Sequence, residues 1–110
     1  MKNKNEIMSI SEAIIDYLQR EHCGKALAVK ATELQRRFGV TPRQLRTIVS
    51  SARCEIIPIC SDGSGYYFPA SAEEIARTRA MIRAQAMSML NAARGLDKAF
   101  EAFGKSYIVS

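Results

Sequence analysis

The sequence predicts a mainly α-helical domain carrying one β-hairpin, followed by a long C-terminal helix. Three observations carry that expectation. Apolar residues return at intervals of three and four through most of residues 9–53. Two β-branched or aromatic runs, 55–60 and 66–68, flank a turn containing Asp62-Gly63. Beyond Ser71, apolar residues recur every seventh position and proline is absent. A chain of 110 residues has room for one core with an appendage and not for two full cores. At 47% hydrophobic and 25% charged it has the composition of a globular protein, which excludes disorder, a collagenous repeat and a disulfide scaffold.

The first helix is expected over residues 9–21, where Ile10, Ala13, Ile14, Tyr17 and Leu18 form one stripe. Ser9-Ile10-Ser11-Glu12 fits a capping box at its start, and Gly24 ends the segment. Residues 25–30 alternate only in part, as a small strand or an extended connector would. A second short helix is expected from Ala31 or Thr32 to Phe38, with Leu34 and Phe38 inward and Gly39 as its left-handed stop. Thr41-Pro42 then pairs an N-cap hydroxyl with proline at the first helical position. The third helix, 42–53, buries Leu45, Ile48, Val49 and Ala52 and presents Arg43, Gln44, Arg46, Thr47, Ser50 and Arg53 on its other face.

In the hairpin, Pro58 lacks an N–H and places its strand at an edge. Ser71-Ala72-Glu73-Glu74 is a second capping box, opening a helix expected to reach about Phe103. Ile75, Ile82, Met89, Leu96 and Phe103 repeat at seven, with Ala86, Ala93 and Phe100 four after a member of that series. Gly95 is the weak point of the helix. Tyr107-Ile108-Val109 is expected to pack back or to add an edge strand. The division is into residues 1–69 and the helix at 70–110.

Charge is concentrated. Residues 30–53 carry Lys30, Arg36, Arg37, Arg43, Arg46 and Arg53 against Glu33 alone, whereas residues 1–29 balance to zero. An arginine excess of this kind fits a polyanion, nucleic acid first, because the guanidinium fork matches phosphates and guanine edges. Cys23, Cys54 and Cys60 are an odd set without CxxC spacing, so free buried thiols are expected and neither a metal nor a cofactor. His22 is the single histidine, with no carboxylate or nucleophile at a catalytic spacing; a helix-end cap is the expected role. No phosphate-binding, dinucleotide or hydrolase motif occurs, so no catalytic residue, enzyme activity or small-molecule substrate is assigned. In Tyr66-Tyr67-Phe68, alternation sends Tyr66 and Phe68 to one face and Tyr67 to the other, for core packing. No apolar run approaches the roughly 18 residues that spanning a membrane requires. Polar residues interrupt 7–13 too often for a signal segment, so a cytoplasmic location is expected.

The run from Thr32 to Arg46, Thr-Glu-Leu-Gln-Arg-Arg-Phe-Gly-Val-Thr-Pro-Arg-Gln-Leu-Arg, resembles the helix-turn-helix of winged-helix domains. Ile57 to Phe68 is similar to the wing of biotin-repressor-like DNA-binding domains and of small phage or prophage proteins. The likeness covers residues 8–69. It departs from the pattern at Arg53-Cys54-Glu55, where many such domains place a glycine between recognition helix and wing. The resemblance implies a recognition helix in the major groove of double-stranded DNA, with Arg43, Gln44, Arg46 and Thr47 at base edges. It implies Lys30, Arg36, Arg37, Ser50 and Arg53 on the DNA backbone and Ser61, Gly63 and Ser64 at the wing tip. The tip carries Asp62 and no basic residue, so its own electrostatic contribution is poor.

The expected function is thus sequence-directed DNA binding by a small transcriptional regulator of bacterial or phage origin. The alternative is a protein–protein adaptor on the same fold, acting in phage replication or assembly without DNA. A helix of this length exceeds what its own domain can cover, so a homodimer is expected through Met89, Leu96, Phe100 and Phe103. Ala86 and Ala93 would let the helices approach, with Arg83, Arg94 and Lys98 at the rim; the competing expectation is a bend at Gly95 that folds the end back on the monomer.

Overall fold

The structure is a computed structural model that describes the backbone of residues 4–109 and the side chains of residues 10–105. Its described elements are α1 (Lys4–Glu21), a 3-10 turn (Lys25–Leu27), α2 (Ala31–Phe38), α3 (Pro42–Cys54), β1 (Cys60–Asp62), β2 (Gly65–Tyr67) and α4 (Ala72–Val109). The chain is mainly helical with one antiparallel hairpin and a long C-terminal helix, as the apolar periodicity predicts.

The core of the first unit is one cluster. Ile14 and Leu18 of α1, Leu34 of α2, and Leu45, Ile48, Val49 and Ala52 of α3 meet Val29, Val40 and Ile59. Burying each large aliphatic side chain is worth about 1.5–3 kcal/mol, so this stripe-to-stripe contact is what holds the three helices together. Tyr66 and Phe68 pack on the cluster, while Tyr67 is buried on the opposite face of the hairpin beside Cys60. Burial pushes the pKa of both the Cys60 thiol and the Tyr67 phenol above the usual values, because it disfavours their charged forms.

Several boundaries differ from the sequence reading. Helix α1 spans Lys4–Glu21, so Ser9 and Ser11 lie within it and not at its start; the side chain of Ser9 is outside the described ones. Residues 25–30 form neither a strand nor a plain connector. After the 3-10 turn, Val29 bridges Tyr66 through Val29 N–H to Tyr66 O and Tyr66 N–H to Val29 O, both 2.8 Å. Gly65 makes that approach possible, because a Cβ there would overlap the Val29 carbonyl oxygen.

The first strand is short, starting at Cys60 and not at 55. The end of α3 explains this. Ile57 N–H bonds Ala52 O (3.0 Å) and Ile56 N–H bonds Arg53 O (3.1 Å), a Schellman arrangement that places Ile56 at the left-handed position with φ of 69°. Ile59 N–H then closes on Ile57 O at 2.9 Å around Pro58, so no ladder forms before Cys60. Pairing runs Cys60↔Tyr67, Ser61↔Tyr66 and Asp62↔Gly65, around a tip of Gly63 and Ser64.

Helix α4 passes through Gly95 and Gly104 and continues to Val109. The expected edge strand at 107–109 is therefore helical backbone, and the bend at Gly95 is not present; the side chains of Tyr107, Ile108 and Val109 lie outside the described ones. The boundary at 69/70 also moves. One compact unit ends at Thr78 and a second begins at Arg79. The reason is chemical: Thr78 is buried, and its Oγ1 accepts the Ser61 N–H at 3.3 Å, while Glu74 accepts the N–H groups of Lys25 (2.9 Å) and Ala70 (2.8 Å). Glu74 thus closes the start of α4 on Ala70 and reaches across to the 3-10 turn.

Candidate nucleic-acid interface

The basic segment 30–53 is displayed by α2, the turn after it and α3. The turn is built as the sequence predicts. Gly39 adopts φ 64°, and both its own N–H and that of Val40 (3.1 Å) bond the Gln35 carbonyl. Val40 is then buried, and Thr41 opens α3 with a full capping box. Thr41 Oγ1 accepts Gln44 N–H at 3.1 Å and Gln44 Oε1 accepts Thr41 N–H at 2.9 Å.

That cap gives Gln44 a structural duty alongside the base contact that the resemblance implies. One lone pair of its amide oxygen is committed to Thr41, which holds the side chain at the start of the helix. Arg43, Arg46, Thr47 and Ser50 are exposed and spaced three, four and seven apart from Arg43, which puts them on one face of α3. Neither Arg43 nor Arg46 has a carboxylate partner among the described residues. Two unneutralised guanidinium groups therefore stand one turn apart on the exposed face of a capped helix.

The other arginines of the segment are engaged. Arg36 holds Glu33 through three hydrogen bonds of 2.6–3.2 Å, which lower the Glu33 carboxyl and raise Arg36. The pair is exposed and screened by solvent, so Arg36 can exchange Glu33 for a phosphate. Arg37 lies 4.3 Å over the ring of Tyr17, which also meets Phe38 and His22 edge-on at 5.6 and 4.8 Å. Lys30 is exposed at the N-cap of α2.

Arg53 is turned to another task. It is half-buried, donating from Nε to Ile59 O at 2.8 Å and from Nη2 to Ser61 Oγ at 3.0 Å. Burial pushes its pKa below the usual arginine value, because it disfavours the charged guanidinium. It joins α3 to the base of the hairpin, and Ser61, expected at the wing tip, lies at that base and not at the tip. Gly63 and Ser64 do form the tip, where Asp62 Oδ1 accepts Ser64 N–H at 2.7 Å.

Sequence reasoning missed Lys25. Its Nζ lies 3.6 Å from Asp62 Oδ2, so a basic group sits beside a hairpin tip that has none of its own. Lys25 and Asp62 are far apart in the chain, and the Cys23–Phe68 and Val29–Tyr66 bridges bring their segments together; no local signal could have found the pair.

His22 directs Nδ1 at the Leu27 carbonyl, 2.6 Å away, and so ties the 3-10 turn instead of capping α1; Nδ1 must carry the proton in that bond. Cys60 is buried but Cys23 and Cys54 are exposed, which corrects the expectation of three buried thiols; all three are free. Among the described residues no three His, Cys, Asp or Glu side chains gather as metal ligands would. Met89, Leu96, Phe100 and Phe103 are all exposed, at 71–80%. No described helix is long and apolar enough to cross a membrane. Searches against protein families, curated proteins and solved structures found no match to this chain.

Proposed function

We propose that this chain is a small winged-helix protein that binds double-stranded DNA in a sequence-directed way, as a homodimeric transcriptional regulator of bacterial or phage origin. The observation that carries the reading is the pair Arg43 and Arg46, exposed and unpaired on the outer face of α3, next to Thr47 and Ser50. Arginine forks match guanine O6 and N7 in the major groove, and the Thr47 methyl suits a thymine methyl. Lys30, Arg36 and Arg37 supply phosphate contacts, with Ser50 as a neutral donor. Lys25 adds a phosphate contact at the hairpin tip. Arg53 supports the interface by holding the hairpin on α3.

An electrophoretic shift across a salt series tests this. Binding to duplex DNA is expected at low salt and should fall by orders of magnitude as salt rises, because each neutralised phosphate releases counterions. Absence of binding at low salt overturns the proposal. The adaptor reading is favoured by a different observation, the exposed Leu96 and Phe100 on α4. It predicts that Arg43→Ala with Arg46→Ala leaves function in the host intact, whereas Leu96→Ser or Phe100→Ser abolishes it.

A further inference from the structure

The exposed apolar face of α4 carries more information than the bare expectation of a dimer. Ile82, Ala86, Met89, Ala93, Leu96, Phe100 and Phe103 follow at alternating intervals of four and three, one continuous seam along the helix. All seven are exposed. Large and small residues alternate over most of that seam, and this limits how a second copy can lie on it.

In a parallel pair each position meets its own copy. Ala86 would face Ala86 and Ala93 would face Ala93, leaving voids between layers of paired methionine, leucine and phenylalanine, and voids cost contact energy. In an antiparallel pair centred between Leu90 and Ala92, Ala86 faces Leu96 of the second copy and Ala93 faces its Met89. Ile82 then faces Phe100. The alanine layers are each filled by one large side chain, so the two backbones can stay at one even spacing.

Charge selects the same register. Arg83, Leu90 and Asp97 follow the seam residues Ile82, Met89 and Leu96 along one flank. Arg83 and Asp97 have no ion-pair partner among the described residues. They are 14 residues apart, about 21 Å along one helix, and cannot meet within it. In the antiparallel register Arg83 of each copy lies beside Asp97 of the other, twice, with Leu90 against Leu90 at the two-fold axis. A parallel pair sets Asp97 beside Ala92, and sliding the antiparallel pair by a heptad sets it beside Leu90. The opposite flank, Gln85, Ala92 and Ala99, carries no charge and so opposes no pairing.

We infer that a second copy of this chain covers the seam as an antiparallel helix pair about Leu90–Ala92, locked by two reciprocal Arg83–Asp97 ion pairs. The inference rests on the homodimer reading above and adds orientation and register to it.

Sedimentation equilibrium of the full chain and its charge variants tests it, together with a distance measurement. Asp97→Arg should weaken self-association roughly tenfold, since it sets two like charges together at each end of the pair. Adding Arg83→Asp should restore it. In a parallel pair the two positions never meet and the double variant is not rescued. Spin labels at Glu101→Cys, with Cys23→Ser and Cys54→Ser, should report about 30 Å or more across an antiparallel dimer and under about 20 Å across a parallel one. A dimer without charge rescue and with the short distance overturns the register while leaving the homodimer intact. A chain that stays monomeric at tens of micromolar overturns both.

Discussion

Ile56 stands where a helix end favours glycine. It is 91% exposed and occupies φ 69°, a left-handed conformation that a β-branched side chain adopts at a cost of about 1–2 kcal/mol. The chain thus makes a glycine-type turn after α3 without a glycine, at Ile56. Because Ile56 buries almost nothing, Ile56→Gly should stabilise the protein by about 1 kcal/mol, read as a rise in the thermal midpoint of about 4–8 °C. An unchanged or lower midpoint would show that Ile56 earns its place through a contact. Gly65 is the converse case. Gly65→Ala drives a methyl into the Val29 carbonyl, and should cost about 2–3 kcal/mol while weakening amide-exchange protection at Val29 and Tyr66. On the proposed DNA-binding reading, Arg43→Ala and Arg46→Ala should each cost about 1–3 kcal/mol of DNA affinity and relax preference at one base pair. Arg36→Ala should weaken all sequences alike and reduce the salt slope, as expected of a phosphate contact.

At the scale of elements, two polar ties join separate segments of the fold. Arg53 joins α3 to Ile59 and Ser61, so Arg53→Ala leaves a carbonyl without its donor and should cost about 1–3 kcal/mol in chemical denaturation, with partial recovery in Arg53→Lys. Glu74 joins the start of α4 to Ala70 and Lys25. Those backbone N–H bonds, that of Ala70 first, hold its carboxyl below the usual carboxylate range. A carboxyl lowered on folding stabilises the folded state at all pH values above its unfolded titration, and the contribution fades as pH falls through the folded one. Glu74→Gln should therefore lower the thermal midpoint at pH 7, and the gap to the parent should close in strong acid. A gap that stays constant with pH would mean that the bonds, and not the charge, carry the effect. Both ties couple residues from separate elements, which is why sequence patterns placed Arg53 on a solvent face and Glu74 only in a local cap.

For the whole molecule, the division at Thr78 makes truncation informative. A chain ending at residue 80 keeps Glu74 and Thr78 and should fold; on the proposed reading it is a monomer that binds DNA more weakly than the full chain. A chain ending at residue 69 loses both and should unfold at a markedly lower temperature, as followed by circular dichroism. Equal stability of the two would place the boundary back at the proline. The sequence by itself determined the helix starts and stops that are closed by near neighbours: Gly39 ending α2, Thr41-Pro42 opening α3, Asp62-Gly63 at the hairpin tip, and the apolar stripes that face the core. These are legible because each is satisfied within a few residues, where chain geometry alone dictates which groups can meet. The tertiary structure alone decided the rest: the short first strand, Arg53 turned inward, Lys25 beside Asp62, and Thr78 joined to Ser61 from 17 residues away. Such contacts depend on how elements settle against one another once buried area and unsatisfied polar groups are balanced together, and no local pattern encodes that balance.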